Sequence, residues 1–202
     1  LDLSDPFAPK VLGELKITGF SDYLHPYDEN HVIGIGKDGS SVKISLFDVT
    51  NASNPVEVGS YQISYADTPV LYDHKALLFD ASKNLLAMPV STYEYSSLGN
   101  STSGPSPPVN STNGLSPLGT ISYWQGVYVF NITIQEGIVF RGRISHMDGV
   151  TSPPYYQLGY PYSYSYIIKR ALYIDNVLYT VSDKKVMMND LQTLQEINQI
   201  DL

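Results

Sequence analysis

The sequence contains no cysteine, so disulfides, thiolate metal sites and cysteine nucleophiles are all excluded. Positive charge is scarce, because 12 Lys and Arg stand against 20 Asp and Glu and give a formal net charge of −8. Phosphate binding needs clustered Lys and Arg, so this balance argues against a nucleic-acid binder and against an anionic membrane surface. No apolar run approaches the roughly 20 residues of a membrane-spanning helix. The first residues, Leu1–Asp5, are no signal peptide, so we expect any signal or anchor outside this chain.

The composition is that of a globular domain. Its 202 residues are 43% hydrophobic and 12% aromatic, which is enough for a substantial core. Tyrosine is unusually common, with 17 copies. Tyrosine is typical of half-buried β surfaces that keep one edge in water, so the composition favours a β-rich fold.

Two stretches 46 residues apart match each other and indicate a repeat protein. The matching positions are Asp2-Leu3-Ser4-Asp5, Pro9, Gly13 and Ile17 in the first stretch, and Asp48-Val49-Thr50-Asn51, Pro55, Gly59 and Ile63 in the second. Each copy lies where one apolar, β-rich run ends in a turn and another begins. A period in the forties that contains only strands predicts propeller blades.

We therefore predict an all-β fold, a β-propeller-like array of four-stranded antiparallel blades that forms a single module over 1–202. The units fall at about 20–63, 72–145 and 167–202, and an extra strand is predicted over Val11–Ile17. Residues 93–124, rich in Ser, Thr, Asn, Gly and Pro with Glu94 as the only charge, are predicted to form an insertion loop in the second unit.

About three blades plus one strand make a partial propeller, since closed propellers usually carry four to eight blades. Exposed β edges promote aggregation. We therefore expect either a homodimer that completes the ring or the remaining blades of a longer chain.

Several segments resemble a known family. Phe20–Asp28, Ile33–Gly36, Ile44–Thr50 and Tyr72–Asp80 are similar to the secreted β-propeller proteins of archaea and bacteria that are distantly related to WD-repeat propellers. The resemblance implies an exported, membrane-associated or cell-surface propeller that belongs to a longer protein. It implies no established activity and brings no catalytic residues.

Four N-glycosylation sequons begin at Asn51, Asn100, Asn110 and Asn131. Single sequons arise by chance, but four in a chain poor in charge favour an exported protein. We expect an extracellular or cell-surface location.

Two groups of residues are candidates for metal binding. Asp22, His25, Asp28 and His31 form a local cluster of oxygen and imidazole groups. The comparable residues Asp73, His74 and Asp80 of the next unit favour a repeated structural role instead. Asp80, Ser82 and Asn84 have the first alternating positions of a calcium loop, but the Gly and the terminal Glu are missing. We predict no cofactor, with calcium as the alternative.

Clustered aromatic residues are the candidates for ligand binding. Tyr155, Tyr156, Tyr160 and Tyr162 lie close together in the sequence, and Trp124 ends the predicted loop. Such rings stack on sugars or anchor protein partners. The alternative is a linker that packs over the propeller face, with Trp124 as an anchor of the loop.

No enzyme motif stands out. Gly34–Gly39 has the G-x-G-x-x-G spacing, but a strand follows it where a dinucleotide site needs a helix. The four histidines have no neighbouring G-x-S-x-G motif. We predict a non-catalytic binding or scaffolding module of an exported cell-surface protein, with a protein or carbohydrate partner. The alternative is a hydrolase-like enzyme whose His and carboxylates converge at the propeller face from different blades.

Overall fold

The computed structural model describes residues 2–97, 119–147 and 164–202. Within these ranges the chain contains 13 β-strands in three antiparallel sheets, a few short 3₁₀ turns and no α-helix. No helix in them is long and apolar enough to cross a membrane. The predicted all-β array of four-stranded sheets is confirmed.

The first sheet is a meander of four strands in sequence order. Its strands are β1 (Phe20–Pro26), β2 (His31–Asp38), β3 (Ser41–Asp48) and β4 (Val56–Ile63). The hairpin between β2 and β3 closes with the pair Asp38 and Ser41, and Gly39 in its turn has a φ of 59°. A glycine fits this left-handed position without strain, as the Asp-Gly pair predicts.

The second sheet has a divided first strand. Its strands are β5 (Ala66–Asp67), β6 (Leu78–Asp80), β7 (Leu85–Ser97), β8 (Gly119–Thr133) and β9 (Gly137–Ile144). Both β5 and β6 pair with β7. The segment between β5 and β6 is not extended throughout, because the Asp73 carboxylate accepts the Lys75 N–H and caps a 3₁₀ turn over His74–Ala76.

The predicted insertion loop over 93–124 is wrong at both ends. The ladder of β7 and β8 continues through the pairs of Tyr93 with Tyr123 and Ser97 with Gly119. Residues 98–118 lie outside the described residues. The cross-strand pair of Tyr93 and Tyr123 stabilises these strands, although the turn-rich composition of the stretch favours a loop.

The third sheet is again a meander in sequence order. It consists of β10 (Arg170–Ile174), β11 (Val177–Val181), β12 (Lys185–Asp190) and β13 (Glu196–Asp201). These strands lie within residues 167–202, where the sequence places the third unit.

The three sheets stack face to face, and the second sheet is buried on both faces. Leu86, Met88 and Val90 of β7 pack into a core shared with the first sheet. Leu85 and Ala87, on the opposite face, pack into a core shared with the third sheet. Successive residues of a strand point to opposite faces, so the first part of β7, residues 85–90, is apolar at every position rather than alternating.

The stack is open at both ends, since no further sheet among the described residues covers the outer faces of the first and third sheets. The extra strand predicted over Val11–Ile17 does not form. Only an isolated antiparallel bridge between Asp2 and Lys10 precedes β1. A segment forms a β-strand only when its backbone N–H and C=O groups pair with those of a neighbouring strand. Among the described residues, no strand lies in that position beside Val11–Ile17.

Candidate functional site

A cavity of about 530 Å³ lies between the second and third sheets. Its walls come from β5 and the 3₁₀ turns that follow, from the middle of β7 and β8, and from the start of β10 and the end of β11. The residues that define its chemistry are Tyr72, Asp73, Tyr123, Gln125, Lys169 and Arg170. Pockets of this size are typical of ligand sites between structural units.

The two cations of the cavity are both paired with carboxylates. Arg170 Nη2 donates to Asp73 Oδ2 at 2.8 Å, and Lys169 Nζ donates to Asp183 Oδ1 at 2.7 Å. The hydrogen bond from Arg170 is the main cause that holds the pKa of Asp73 below its usual value. Arg170 Nη1 is buried and has no hydrogen-bond partner among the described residues. The cavity therefore offers donors and acceptors side by side rather than a net cationic site for an anion.

A buried amide fixes the floor of the cavity. Gln125 is 3% exposed, its Nε2 donates to the Ile168 carbonyl at 3.1 Å, and its Oε1 accepts the Ile168 N–H at 3.0 Å. One side chain thus satisfies two backbone groups of the segment that leads into β10. Because both polar atoms of the amide are used, Gln125 positions the wall and is not free for a ligand.

Exposed tyrosines border the cavity. The side chain of Tyr72 is 81% exposed and that of Tyr123 is 42% exposed, and both line the cavity. Tyr93 lies opposite Tyr123 in the ladder, with ring centroids 5.5 Å apart. Exposed rings beside paired polar groups suit a ligand with both apolar and hydroxyl-bearing surfaces.

His146, the buried histidine, does not form a catalytic triad. It is 1% exposed, and its Nδ1 and Nε2 lie 3.0 and 2.9 Å from the hydroxyls of Ser182 and Thr180. Burial, with the nearby Lys185 charge, lowers the pKa of His146 to about 4. Ser182 Oγ also accepts the N–H of Lys185 at 3.1 Å. Both ring nitrogens are bonded to hydroxyls, so no carboxylate orients this imidazole as a general base.

The four residues considered as metal candidates are divided between separate contacts. His31 Nδ1 lies 2.8 Å from Asp28 Oδ1, whereas His25 Nδ1 lies 2.8 Å from the hydroxyl of Tyr23. Asp22 is exposed at the bulge in β1. In the described part of the chain, no three His, Asp or Glu side chains come together as ligands for a metal ion.

The predicted calcium positions form a turn. Asp80 Oδ1 accepts the Ser82 N–H at 2.8 Å, and Asp80 Oδ2 accepts the hydroxyl of Tyr173. Hydrogen bonds from the Ser82 side chain and then Tyr173 lower the pKa of Asp80 to about 2. Asn84 ends the turn with a φ of 51°. These contacts connect the second sheet to the third and use the carboxylate that a calcium ion needs.

The predicted aromatic ligand residues are only partly described. Tyr155, Tyr156, Tyr160 and Tyr162 lie outside the described residues. Trp124 is in β8 and packs against the core shared by the first two sheets. The guanidinium of Arg143 lies 4.4 Å from its ring centroid, and Arg143 also pairs with Glu94. Trp124 is thus packed within the second sheet, and its role as a ligand residue stays a prediction.

Two of the predicted glycosylation sites are described. Asn51 is exposed in the turn between β3 and β4, and its Oδ1 accepts the Ser53 N–H at 3.1 Å. Asn131 is half-buried in β8, between partners on β7 and β9. Asn100 and Asn110 lie outside the described residues.

Sequence reasoning missed most of the cavity. Tyr72, Gln125 and Arg170 come from three distant stretches, so no local spacing connects them. The one available signal was an Arg at the start of an apolar strand, a position where a half-buried charge favours a partner.

Four-stranded antiparallel sheets that follow one another along the chain and pack face to face are typical of the blades of a β-propeller. A family model described as a beta propeller domain matches residues 1–194, and the chain belongs to this family. The predicted resemblance to β-propeller proteins is therefore confirmed.

The similar proteins are archaeal. One stretch of 95 residues is 43% identical to an uncharacterized protein of Archaeoglobus fulgidus, and one of 96 residues is 44% identical to an uncharacterized protein of Methanocaldococcus jannaschii. Each match covers 47% of this chain and only 15% of the length of the relative. No solved structure matches the chain.

Proposed function

We propose that this chain is a non-catalytic binding module, and that its ligand site is the cavity between the second and third sheets. The observation that supports this proposal is the combination of paired charges and exposed rings around one cavity. Arg170 with Asp73 presents a donor and an acceptor, and Tyr72 and Tyr123 add apolar faces at the opening. The neighbouring histidine, His146, is committed to two hydroxyls, which disfavours the hydrolase alternative.

Neutral carbohydrate is the ligand class that this chemistry favours. Each sugar hydroxyl both donates and accepts, so it suits a site where Arg and Asp stand together. The C–H faces of a sugar ring are apolar and match exposed Tyr rings. Because the cavity's cations are already neutralised by Asp73 and Asp183, a phosphate or nucleic acid is a poorer fit.

Binding of neutral oligosaccharides to the 202-residue chain, measured by isothermal titration calorimetry, tests this proposal. We expect Tyr72→Ala and Tyr123→Ala to weaken binding about two- to twelvefold each, since an aromatic contact is worth about 0.5–1.5 kcal/mol. Phe7→Ala is the matched control, because Phe7 is 96% exposed and does not line the cavity. Equal affinity in all three variants, or binding to a protein partner but to no sugar, would contradict the proposal.

Export to the cell surface is part of the same proposal. The exposed sequon at Asn51 supports it, since its side chain is in a turn that an attached glycan would not disrupt. Mass spectrometry of the protein purified from its source is the test. A glycan on Asn51 is expected, and an unmodified peptide from a cytoplasmic fraction would contradict export.

A further inference from the structure

The segment before β1 repeats the hairpin of the first sheet. Asp2 and Lys10 exchange two backbone hydrogen bonds, of 2.7 and 3.0 Å. The residues 46 positions further along, Asp48 and Val56, form the last pair of the ladder between β3 and β4. Asp2 Oδ1 accepts the Ser4 N–H at 2.9 Å, just as Asp48 Oδ1 accepts the Thr50 N–H at 2.8 Å. Asp2 thus corresponds to Asp48, the last residue of β3, and has the position at which the third strand of a sheet ends.

Residues 11–17 lie against the first sheet as β4 lies against the second. A Cβ on Gly13 would lie 2.5 Å from the carbonyl oxygen of Ser53, in the turn before β4. A Cβ on Gly59, 46 positions along, would lie 3.3 Å from Gly137, where β9 begins. Both glycines allow an outer strand to approach the outer edge of the next sheet. This contact places residues 11–17 in the outer-strand position of a preceding blade.

The exposure pattern and the end of the segment agree with this position. Gly13, Leu15 and Ile17 are half-buried, while the residues between them are exposed. Their counterparts Gly59, Tyr61 and Ile63 face the second sheet. Gly19 and Tyr65, again 46 apart, both have positive φ, at 78° and 48°. Alternation of this kind is typical of a strand with one covered face.

The edge of the segment is nevertheless unpaired. No backbone N–H of residues 11–17 donates to a backbone carbonyl elsewhere in the described ranges. Lys43 Nζ does hold the Thr18 carbonyl, at 3.3 Å, and the Thr18 hydroxyl donates to Asp38 at 2.8 Å. The segment is fixed in place and presents free donors and acceptors, which is the condition for strand addition.

We propose that Val11–Ile17 is the outer strand of a further blade, and that its free edge pairs with the third strand of a three-stranded sheet whose polypeptide leads into Asp2. A second copy of this chain is the competing occupant. The third sheet already has its own outer strand, β13, so stacking it on the first sheet of another copy would place β13 where Val11–Ile17 lies. The archaeal relatives are several times longer than the matched region, which is length enough for further blades.

The first test measures the solution mass of the 202-residue chain and the hydrogen-exchange rates of its backbone amides. We expect a monomer near 22.4 kDa in light scattering, and amides of residues 11–17 that exchange at least tenfold faster than those of β4. A dimer whose 11–17 amides are protected would overturn the proposal in favour of a second copy.

The second test supplies the missing strands from the chain itself. A copy of residues 20–47 is joined directly to Asp2, so that Phe47 precedes Asp2 as it precedes Asp48. We expect exchange at residues 11–17 to slow at least tenfold, while an extension of equal length in Gly and Ser leaves it unchanged. Protection of β10 to β13 in the same experiment reports that the rest is folded. If those amides stay protected and residues 11–17 gain nothing, the proposal is wrong.

Discussion

Acidification from pH 6.5 to 4 should destabilise the chain through His146, with His25 acting in the same direction, because burial lowers the pKa of both histidines. Burial, with the charge of Lys185, lowers the pKa of His146 from 6.5 to about 4. In this range the unfolded chain takes up a proton at His146 and the folded chain does not, so the free energy of unfolding falls as the pH falls. The stabilisation that His146 provides is fully present above pH 6.5. It is lost as the pH falls to about 4, and this residue causes no further loss below that pH. At about 1.4 kcal/mol per pKa unit, the loss approaches 3 kcal/mol.

The environment of His146 explains why its protonation lowers the free energy of unfolding. In the neutral imidazole one ring nitrogen donates to a hydroxyl and the other accepts from one, so on protonation the hydroxyl that donated has to turn and accept instead. The cost is that of a charge in a site that is 1% exposed and has Lys185 nearby.

Urea denaturation followed by fluorescence of Trp124, the single tryptophan, measures the effect from pH 7.5 to 4. His146→Gln should be less stable than the wild type at pH 7.5, by about 1–3 kcal/mol for the disturbed hydrogen bonds, but should lose less stability on acidification. His74→Gln is the matched control, since His74 is exposed, and should retain the wild-type slope. An unchanged slope in His146→Gln, or an NMR titration of His146 near pH 6.5, would refute the reasoning.

Two further predictions concern packing. Gly126→Ala should destabilise the chain by at least about 2 kcal/mol, because the new Cβ would lie 2.1 Å from the Ile144 carbonyl oxygen; a change below 0.5 kcal/mol in urea denaturation would contradict this. Phe130→Ala should cost about 3–5 kcal/mol, since Phe130 is fully buried, and Phe140→Ala, at a ring 39% exposed, should cost clearly less in the same assay.

The sequence predicts the first and third sheets better than the second, because short polar turns such as Asp38-Gly39 separate their β-rich apolar runs locally. It fails where side chains compete with the backbone ladder. Asp73 and Thr68 cap 3₁₀ turns and divide the first strand of the second sheet, and short polar caps leave no periodic signal. Val11–Ile17 has the pattern of a strand, but a pattern does not supply a pairing partner.

The candidate site was much less predictable than the fold. Gln125, Tyr72 and Arg170 converge only because the second and third sheets stack, and the direction of their side chains depends on that contact. The individual residues are ordinary in the sequence. Local spacing therefore indicates the sheets but not the chemistry between them.

The double burial of β7 carries an evolutionary consequence. Leu86 and Met88 contact one neighbouring sheet, and Leu85 and Ala87 contact the other. In a set of homologues, odd and even positions of this strand should therefore covary with different partners, in two independent groups interleaved at a period of two. One strand would record the divergence histories of two separate interfaces.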